Sequence, residues 1–264
     1  MTLYRGMDRT ALDAAYNNAA AVAGSARIVA GWEARSAKFR QGFDGKNLDL
    51  RYGAAERNRI DLFAAGKDAP LLAYIHGGYW QGRSKEIFSC LAAGPLAHGI
   101  GVAMIGYTLA PEKRLDGIVA EIHAALSFLA QSHAPIFVSG WSAGGHLTAM
   151  AMTHPAAEAG LAISGIYDLE PIRLCYLNEK LRLDVAEAQR NSPIFHSNFD
   201  KPLTVAYGGA ELPELRRQSE EYARVLKRGR LAPLAGHDHF TILEELASPG
   251  GALTGMVRSL VQTR

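Results

Sequence analysis

Residues 136–147 read Ile136-Phe137-Val138-Ser139-Gly140-Trp141-Ser142-Ala143-Gly144-Gly145-His146-Leu147. A short β-branched and aromatic run after Pro135 leads into Gly-x-Ser-x-Gly, and helix formers continue to Met152. That order predicts strand, sharp turn, helix, the context that makes the pentapeptide a nucleophile elbow. Side chains at 140 or 144 would collide with the flanking strand and helix, so glycine stands at both. The tight turn holds Ser142 in a strained backbone and lifts its hydroxyl clear of the sheet. The first turn of the helix aims free N–H groups at the space above it. Without its strand and helix the pattern is common in a glycine-rich chain; with them it selects a fold.

Working outward, the chain alternates. Strand candidates are Leu71–Ile75, Gly101–Tyr107, Ile136–Ser139, Leu161–Ser164 and Leu203–Tyr207, and between them lie helical stretches at Ser84–Ala97, Leu115–Ala130, Gly145–Thr153 and Pro213–Lys227. The strands are nearly continuously apolar, as strands covered on both faces must be. Strand and helix in alternation predict an α/β fold with a mostly parallel sheet and right-handed crossovers. Arg51 to Phe63 reads as an edge hairpin. An Ala-rich stretch, 8–40, within an N-terminal segment of about 1–40, reads as helical and divided near Gly24 and Gly31. Tyr167 to Asp200 (about 167–200) breaks the alternation and is expected to build part of a pocket. No repeat or low-complexity linker interrupts the chain, so 1–264 is read as one domain.

Composition narrows the function classes. Hydrophobic residues are 48% and charged residues 20% of the chain, enough for a sizeable core. A net charge of +2 is too small for a nucleic-acid footprint. No apolar stretch nears the roughly 20 residues that span a bilayer, and acidic and basic residues interrupt the N-terminus before a leader-like core can form. The two cysteines, Cys90 and Cys175, sit in apolar surroundings and are expected to be buried free thiols of a soluble, cytoplasmic protein.

A serine nucleophile needs a base, and the base an orienting acid. After an elbow they follow in the order acid, then histidine. Only His237 and His239 follow the last strong strand candidate, in Gly236-His237-Asp238-His239-Phe240 before the helical run Thr241–Leu246. His239 is the expected base and His237 the alternative; His-x-His as a metal pair lacks a third ligand cluster. Glu211 is the first carboxylate past Leu203–Tyr207 and the expected acid. Glu214, after Pro213, reads as a first-turn partner of a helix dipole. Oxyanion donors are expected from the N–H of Ala143 and from Gly77 and Gly78 in His76-Gly77-Gly78-Tyr79-Trp80. His76 is expected to brace that loop and His146 to pack. Tyr79, Trp80, Trp141 and Tyr167 ring this region and are expected to offer aromatic walls to a planar substrate, with packing of the loop and elbow as the alternative use of Trp80 and Trp141.

His76–Trp80 resembles the HGGxW signature of the arylformamidases, the kynurenine formamidases of the α/β-hydrolases. Further similarity lies in Gly140–Gly144, Ser164-Gly165-Ile166-Tyr167-Asp168-Leu169, Glu211-Leu212-Pro213-Glu214-Leu215, His239-Phe240 and Leu3-Tyr4-Arg5-Gly6-Met7, so it spans most of the chain. The resemblance implies an α/β-hydrolase fold and hydrolysis of N-formyl-kynurenine to kynurenine and formate. It also implies a triad of Ser142, Glu211 and His239, with Gly77, Gly78 and Ala143 at the oxyanion hole. Glu211 departs from the Asp common in the family. No cofactor and no metal are expected, because serine, imidazole and backbone N–H groups supply the chemistry. The partner is then a small molecule, not nucleic acid or a membrane; a homodimer is common among such folds, and no residue pattern here sets one. Tyr107-Thr108-Leu109-Ala110-Pro111-Glu112 resembles instead the hormone-sensitive-lipase-type carboxylesterases, which keeps short-chain ester hydrolysis as an alternative. A non-catalytic binding protein on the same fold is the third reading.

Overall fold

The computed structural model describes residues 2–262; Met1, heading the segment 1–40, and residues 263–264, closing the span 1–264, lie outside the described residues. Eight strands form one sheet: β1 (Leu50–Arg51), β2 (Arg59–Phe63), β3 (Leu71–Ile75), β4 (Gly101–Ile105), β5 (Ile136–Trp141), β6 (Ala157–Ile163), β7 (Leu203–Gly208) and β8 (Gly229–Leu234). Their order is β1-β2-β4-β3-β5-β6-β7-β8. β1 pairs antiparallel with β2 and β2 antiparallel with β4, which is the expected edge hairpin. From β4 to β8 every pairing is parallel.

The continuous apolar runs have the expected cause. Every residue of β3, β4, β5 and β7 is buried, because helices cover both faces. On one face Ile75, Ile105, Val138 and Val205 join Ile118, Ile122 and Leu126 of helix Leu115–Leu129 with Leu147, Leu215 and Tyr222. On the other, Tyr74, Met104, Phe137 and Ile163 join Trp32 of helix Ser25–Arg40 and Leu253 and Val257 of helix Ala252–Gln262. Successive strand residues alternate between the two cores, as the pleat requires.

Several boundaries differ from the sequence expectation. Gly24 caps helix Ser25–Arg40 at φ +77, but Gly31 lies inside that helix and divides nothing. β4 stops at Ile105, short of Tyr107. Ser84–Ala97 is a 3-10 stretch, Lys85–Ala92, followed by a single helical turn, Ala93–Leu96. β6 begins at Ala157, hidden by Ala, Glu and Gly with weak strand preference. β8 was not among the strand candidates. It is the edge strand, with its first three residues exposed, so its sequence Gly-Arg-Leu-Ala-Pro-Leu carries no continuous apolar signal. Pro233 is tolerated there because an edge strand can lack one ladder donor.

Parallel pairing puts the carboxyl ends of β3, β5, β7 and β8 on one edge of the sheet. The loops leaving those ends carry residues 76–83, 142, 211 and 239. Between β6 and β7 the insert folds into the short helices Glu170–Leu174, Asn178–Leu181 and Val185–Arg190 and the 3-10 turn Pro193–Phe195.

Candidate active site

Ser142 follows β5, which is flanked by β3 and β6, and holds φ 59 and ψ −118 at the head of helix Ala143–Ala151. Few non-glycine residues stand such a backbone, and the surroundings enforce it. The Ser142 N–H donates to the Ile163 carbonyl at 2.8 Å, pinning the turn to the end of β6. A Cβ at Gly140 would drive into the Gly144 carbonyl, and one at Gly144 into the carbonyl of Ile75. The two glycines of the elbow are therefore what lets strand and helix close upon it.

Glu211 and His239 meet beside this turn. His239 Nδ1 lies 3.0 Å from Glu211 Oε2, both residues being buried. A carboxylate can only accept, so Nδ1 carries the proton and Nε2 is left without one. The other oxygen, Glu211 Oε1, accepts from Ser164 Oγ at 2.5 Å and from the Gly208 N–H at 2.7 Å. Those donors fix the carboxylate plane, so the longer glutamate arm does not wander. The histidine loop is held as firmly. Asp238 Oδ1 accepts the N–H groups of Phe240 and Thr241 at 2.8 Å each, while the Asp238 N–H donates to Thr241 Oγ1 at 2.9 Å. Trp141 Nε1 donates to the His239 carbonyl at 2.7 Å, tying the loop to the elbow.

Their neighbours turn elsewhere. His237 Nε2 stands 3.5 Å from Glu245, so the two histidines of His-x-His face different carboxylates. Glu214 pairs with Arg217 at 2.7 Å and accepts from Tyr16 Oη at 3.3 Å. Ser164, after β6 at φ 51, is the member of this network that sequence reading missed. Its only advance signal was its position at a strand end within the Ser164–Leu169 resemblance.

The loop after β3 supplies free donors. Among the described residues, the N–H groups of Gly77, Gly78 and Ala143 donate to no protein atom. A Cβ on Gly77 would come within 3.1 Å of Ser142 Cβ, so this backbone lies against Ser142. Gly78 has φ +116, and Tyr79 and Trp80 follow at φ 50 and 58, an unusually strained run. His76 braces it: Nδ1–H donates to the Gly77 carbonyl at 2.8 Å, and the ring stacks on Tyr107 at 4.3 Å. Burial pushes the His76 pKa down to about 4, so the ring is neutral at neutral pH.

The aromatic walls need correction. Trp80, Trp141 and Tyr167 are buried and spent on packing. Trp80 Nε1 donates to His146 Nδ1 at 3.2 Å, Trp141 bonds the His239 carbonyl, and Tyr167 stacks on Tyr222 at 4.3 Å. Tyr79 alone is half-buried, and its hydroxyl donates to the Tyr16 carbonyl at 2.6 Å and accepts from Asn18 at 2.8 Å. That fastens the N-terminal segment across the loop. His146 packs as expected, its Nε2–H donating to the Asn191 carbonyl at 2.7 Å. A cavity of about 360 Å³ is lined by Arg83 and Phe240, neither singled out from the sequence. Among the described residues no three His, Cys, Asp or Glu side chains are grouped as a metal site would need, and no helix is long and apolar enough to cross a membrane.

A strained serine after the strand β5, with acid and histidine on loops at the same edge of a parallel sheet, defines the α/β-hydrolase class, and residues 72–198 match a family model described as alpha/beta hydrolase fold. The kynurenine formamidase of Danio rerio is 33% identical over 238 residues, covering 81% of this chain and 81% of that protein. That of Drosophila melanogaster is 30% identical over 242 residues, covering 80% of each. A crystal structure described as a putative thioesterase from Silicibacter sp. TM1040 is similar with a TM-score of 0.89 and 33% identity, over 94% of this chain and 98% of that one. The chain belongs to the kynurenine formamidase family of the α/β-hydrolases.

Proposed function

We propose that this protein is a serine arylformamidase hydrolysing N-formyl-kynurenine to kynurenine and formate. The observation that carries the reading is the Glu211–His239 hydrogen bond of 3.0 Å beside the strained Ser142, in a chain of this family. Ser142 Oγ attacks the formyl carbon while His239 Nε2 takes its proton. The oxyanion is held by the N–H groups of Gly77, Gly78 and Ala143. His239 then protonates the departing aryl amine, leaving a formyl ester on Ser142. Water, giving one proton to His239, attacks that ester; the bond to Ser142 Oγ breaks, His239 returns the proton to Oγ, and formate leaves. Glu211 stays ionised throughout, orienting the ring and balancing the transient imidazolium.

Formate release from N-formyl-kynurenine by the purified protein, lost in Ser142→Ala, is the expected result. Turnover of short-chain aryl esters without any formamide hydrolysis would replace this substrate with an ester and leave the serine mechanism standing. The esterase reading draws support from Tyr107–Glu112, so kcat/KM should be compared on both substrates. An ester advantage above about tenfold, some 1.4 kcal/mol of transition-state binding, favours the esterase. We also assign the protein to the reducing cytoplasm. Cys90 and Cys175 are buried free thiols, and they lie in different cores on opposite faces of the sheet, beyond reach of one another.

A further inference from the structure

Arg83 closes the loop that begins at His76, and its charge is unanswered. Other half-buried arginines have partners for their guanidinium: Arg40 has Asp61, Arg173 has Glu170, Arg217 has Glu214 and Glu221, while Arg57 and Arg59 donate to backbone carbonyls. Among the described residues, no carboxylate forms an ion pair or hydrogen bond with the Arg83 guanidinium. Its one side-chain contact of note is the face of Trp141, with Cζ 5.9 Å from the ring centroid. Burial without a compensating anion pushes its pKa down, whereas Arg173 and Arg217 are pushed up by theirs. Leaving a cation half-desolvated and unpaired costs stability, which an incoming anion would return.

The backbone holds this cation deliberately in place. Arg83 sits at φ 70, which disfavours any residue with a side chain. Arg57 Nη2 donates to the Arg83 carbonyl at 2.5 Å and Arg57 Nε to the Tyr107 carbonyl at 3.0 Å, clamping the position. Gly78 lies alongside: a Cβ there would come within 3.2 Å of Arg83 Cγ. The cation thus stands between the oxyanion loop and the ring of the residue preceding Ser142. It also lines the cavity of about 360 Å³, whose other walls include Ala26, Val29, Ala30 and Phe240, the residue after His239. Glu33, the one acidic residue on those walls, is exposed and makes no ion pair with it. An open, mostly apolar hollow with a single cation suits an amphiphile, an apolar body ending in a carboxylate.

We propose that Arg83 is the specificity-determining residue that binds the carboxylate of the substrate, so the enzyme selects formamides of carboxylate-bearing aryl amines over neutral aryl formamides. The proposal rests on the arylformamidase reading for the scissile bond, but not for the anion. The planar guanidinium takes a carboxylate along its edge through two N–H groups, while the Trp141 ring lies beside it.

The test is a ratio of kcat/KM, N-formyl-kynurenine over the neutral formanilide, for wild type, Arg83→Met and Arg83→Lys. Because each ratio is taken within one preparation, any misfolded fraction cancels. Arg83→Met should lower the ratio by about tenfold or more, chiefly through KM of the acid, and Arg83→Lys by less, because a point charge loses the bidentate geometry. A ratio within about twofold of wild type in Arg83→Met overturns the proposal. If neither formamide is turned over, the function above is what fails. Arg83 is then tested by the same ratio on 3-(4-acetoxyphenyl)propanoate over 4-propylphenyl acetate, an ester pair in which the carboxylate lies on the leaving-group half, as it does in N-formyl-kynurenine. An unchanged ratio there overturns the proposal as well, and a tenfold fall supports it.

Discussion

Glu211 and Glu214 carry the same carboxylate and differ only in where the chain puts them. Glu211 leaves β7 and meets His239 Nδ1 at 3.0 Å; Glu214 opens helix Pro213–Val225 and is neutralised by Arg217. Glu211→Ala should therefore lower kcat by about 10³–10⁴-fold, because His239 loses both its tautomer and its partner for the charged state. Glu214→Ala should leave kcat within roughly threefold and weaken only a helix start. Glu211→Asp should keep partial activity if the loop follows the shorter arm. Steady-state kinetics on the three variants decides it: the opposite ranking for the two alanine variants would move the acid to Glu214. Ser164 extends the argument one bond further. Ser164→Ala removes the 2.5 Å hydrogen bond to Oε1 and leaves the Gly208 N–H in place. Its effect should be about 10-fold on kcat with KM nearly unchanged, since it positions the acid and does not touch substrate. A change confined to KM would contradict that role.

At the scale of the element, the loop 76–83 holds four described residues at positive φ: Gly78, Tyr79, Trp80 and Arg83. Gly78 is the position where constraint and chemistry coincide, since its N–H is free and its φ is +116. A Cβ there would also strike the Gly82 carbonyl oxygen. Gly78→Ala should cost on the order of 1–3 kcal/mol in urea unfolding and lower kcat by roughly 10²-fold, because the displaced backbone turns its retained N–H away from the oxyanion. Loss of stability with full kcat would mean that this N–H faces no oxyanion. The loop's glycines and its place after a strand were readable in sequence; the strain at Tyr79, Trp80 and Arg83 was not, because nothing in those residue types favours positive φ. β8 escaped detection for a related reason. Its exposed edge residues obey the solvent on one side, so the apolar run that betrayed β3, β5 and β7 is missing.

Across the whole molecule, two buried imidazoles make stability depend on pH. His76 and His146 are each pushed by burial from the usual 6.5 to about 4. His146 has no room for a second proton: Nδ1 already accepts from Trp80 and Nε2 donates to the Asn191 carbonyl. With the folded pKa below the unfolded one, the unfolded chain binds protons first as pH falls. Stability is whole above about 6.5, declines between about 6.5 and 4, and loses nothing more to these rings below that. The fall is at most about 3 kcal/mol for each ring. Urea unfolding at pH 7.5 and 4.5 should show it, and His146→Gln should flatten the slope by up to half. Equal slopes in both proteins would show that His146 titrates as an exposed histidine does.

What sequence alone determined was local and ordered along the chain. Alternating apolar runs specified a parallel sheet because burial on both faces demands them, and Gly140 to Gly144 specified the elbow because no side chain fits its flanks. Acid before histidine followed from where strands end. Only the tertiary structure decided which groups finally meet. It turned Ser164, just after β6, onto Glu211, just after β7, and drew Trp80, Trp141 and Tyr167 into the core, although their sequence neighbours placed them at the rim. Among the described residues it also left Arg83 as a cation without an anion, which depends on all surrounding elements at once. Periodicity and turn chemistry act over a few residues and leave a readable pattern. Side-chain partnership depends on distances between remote segments, and those exist only once the sheet has brought its strand ends to one edge.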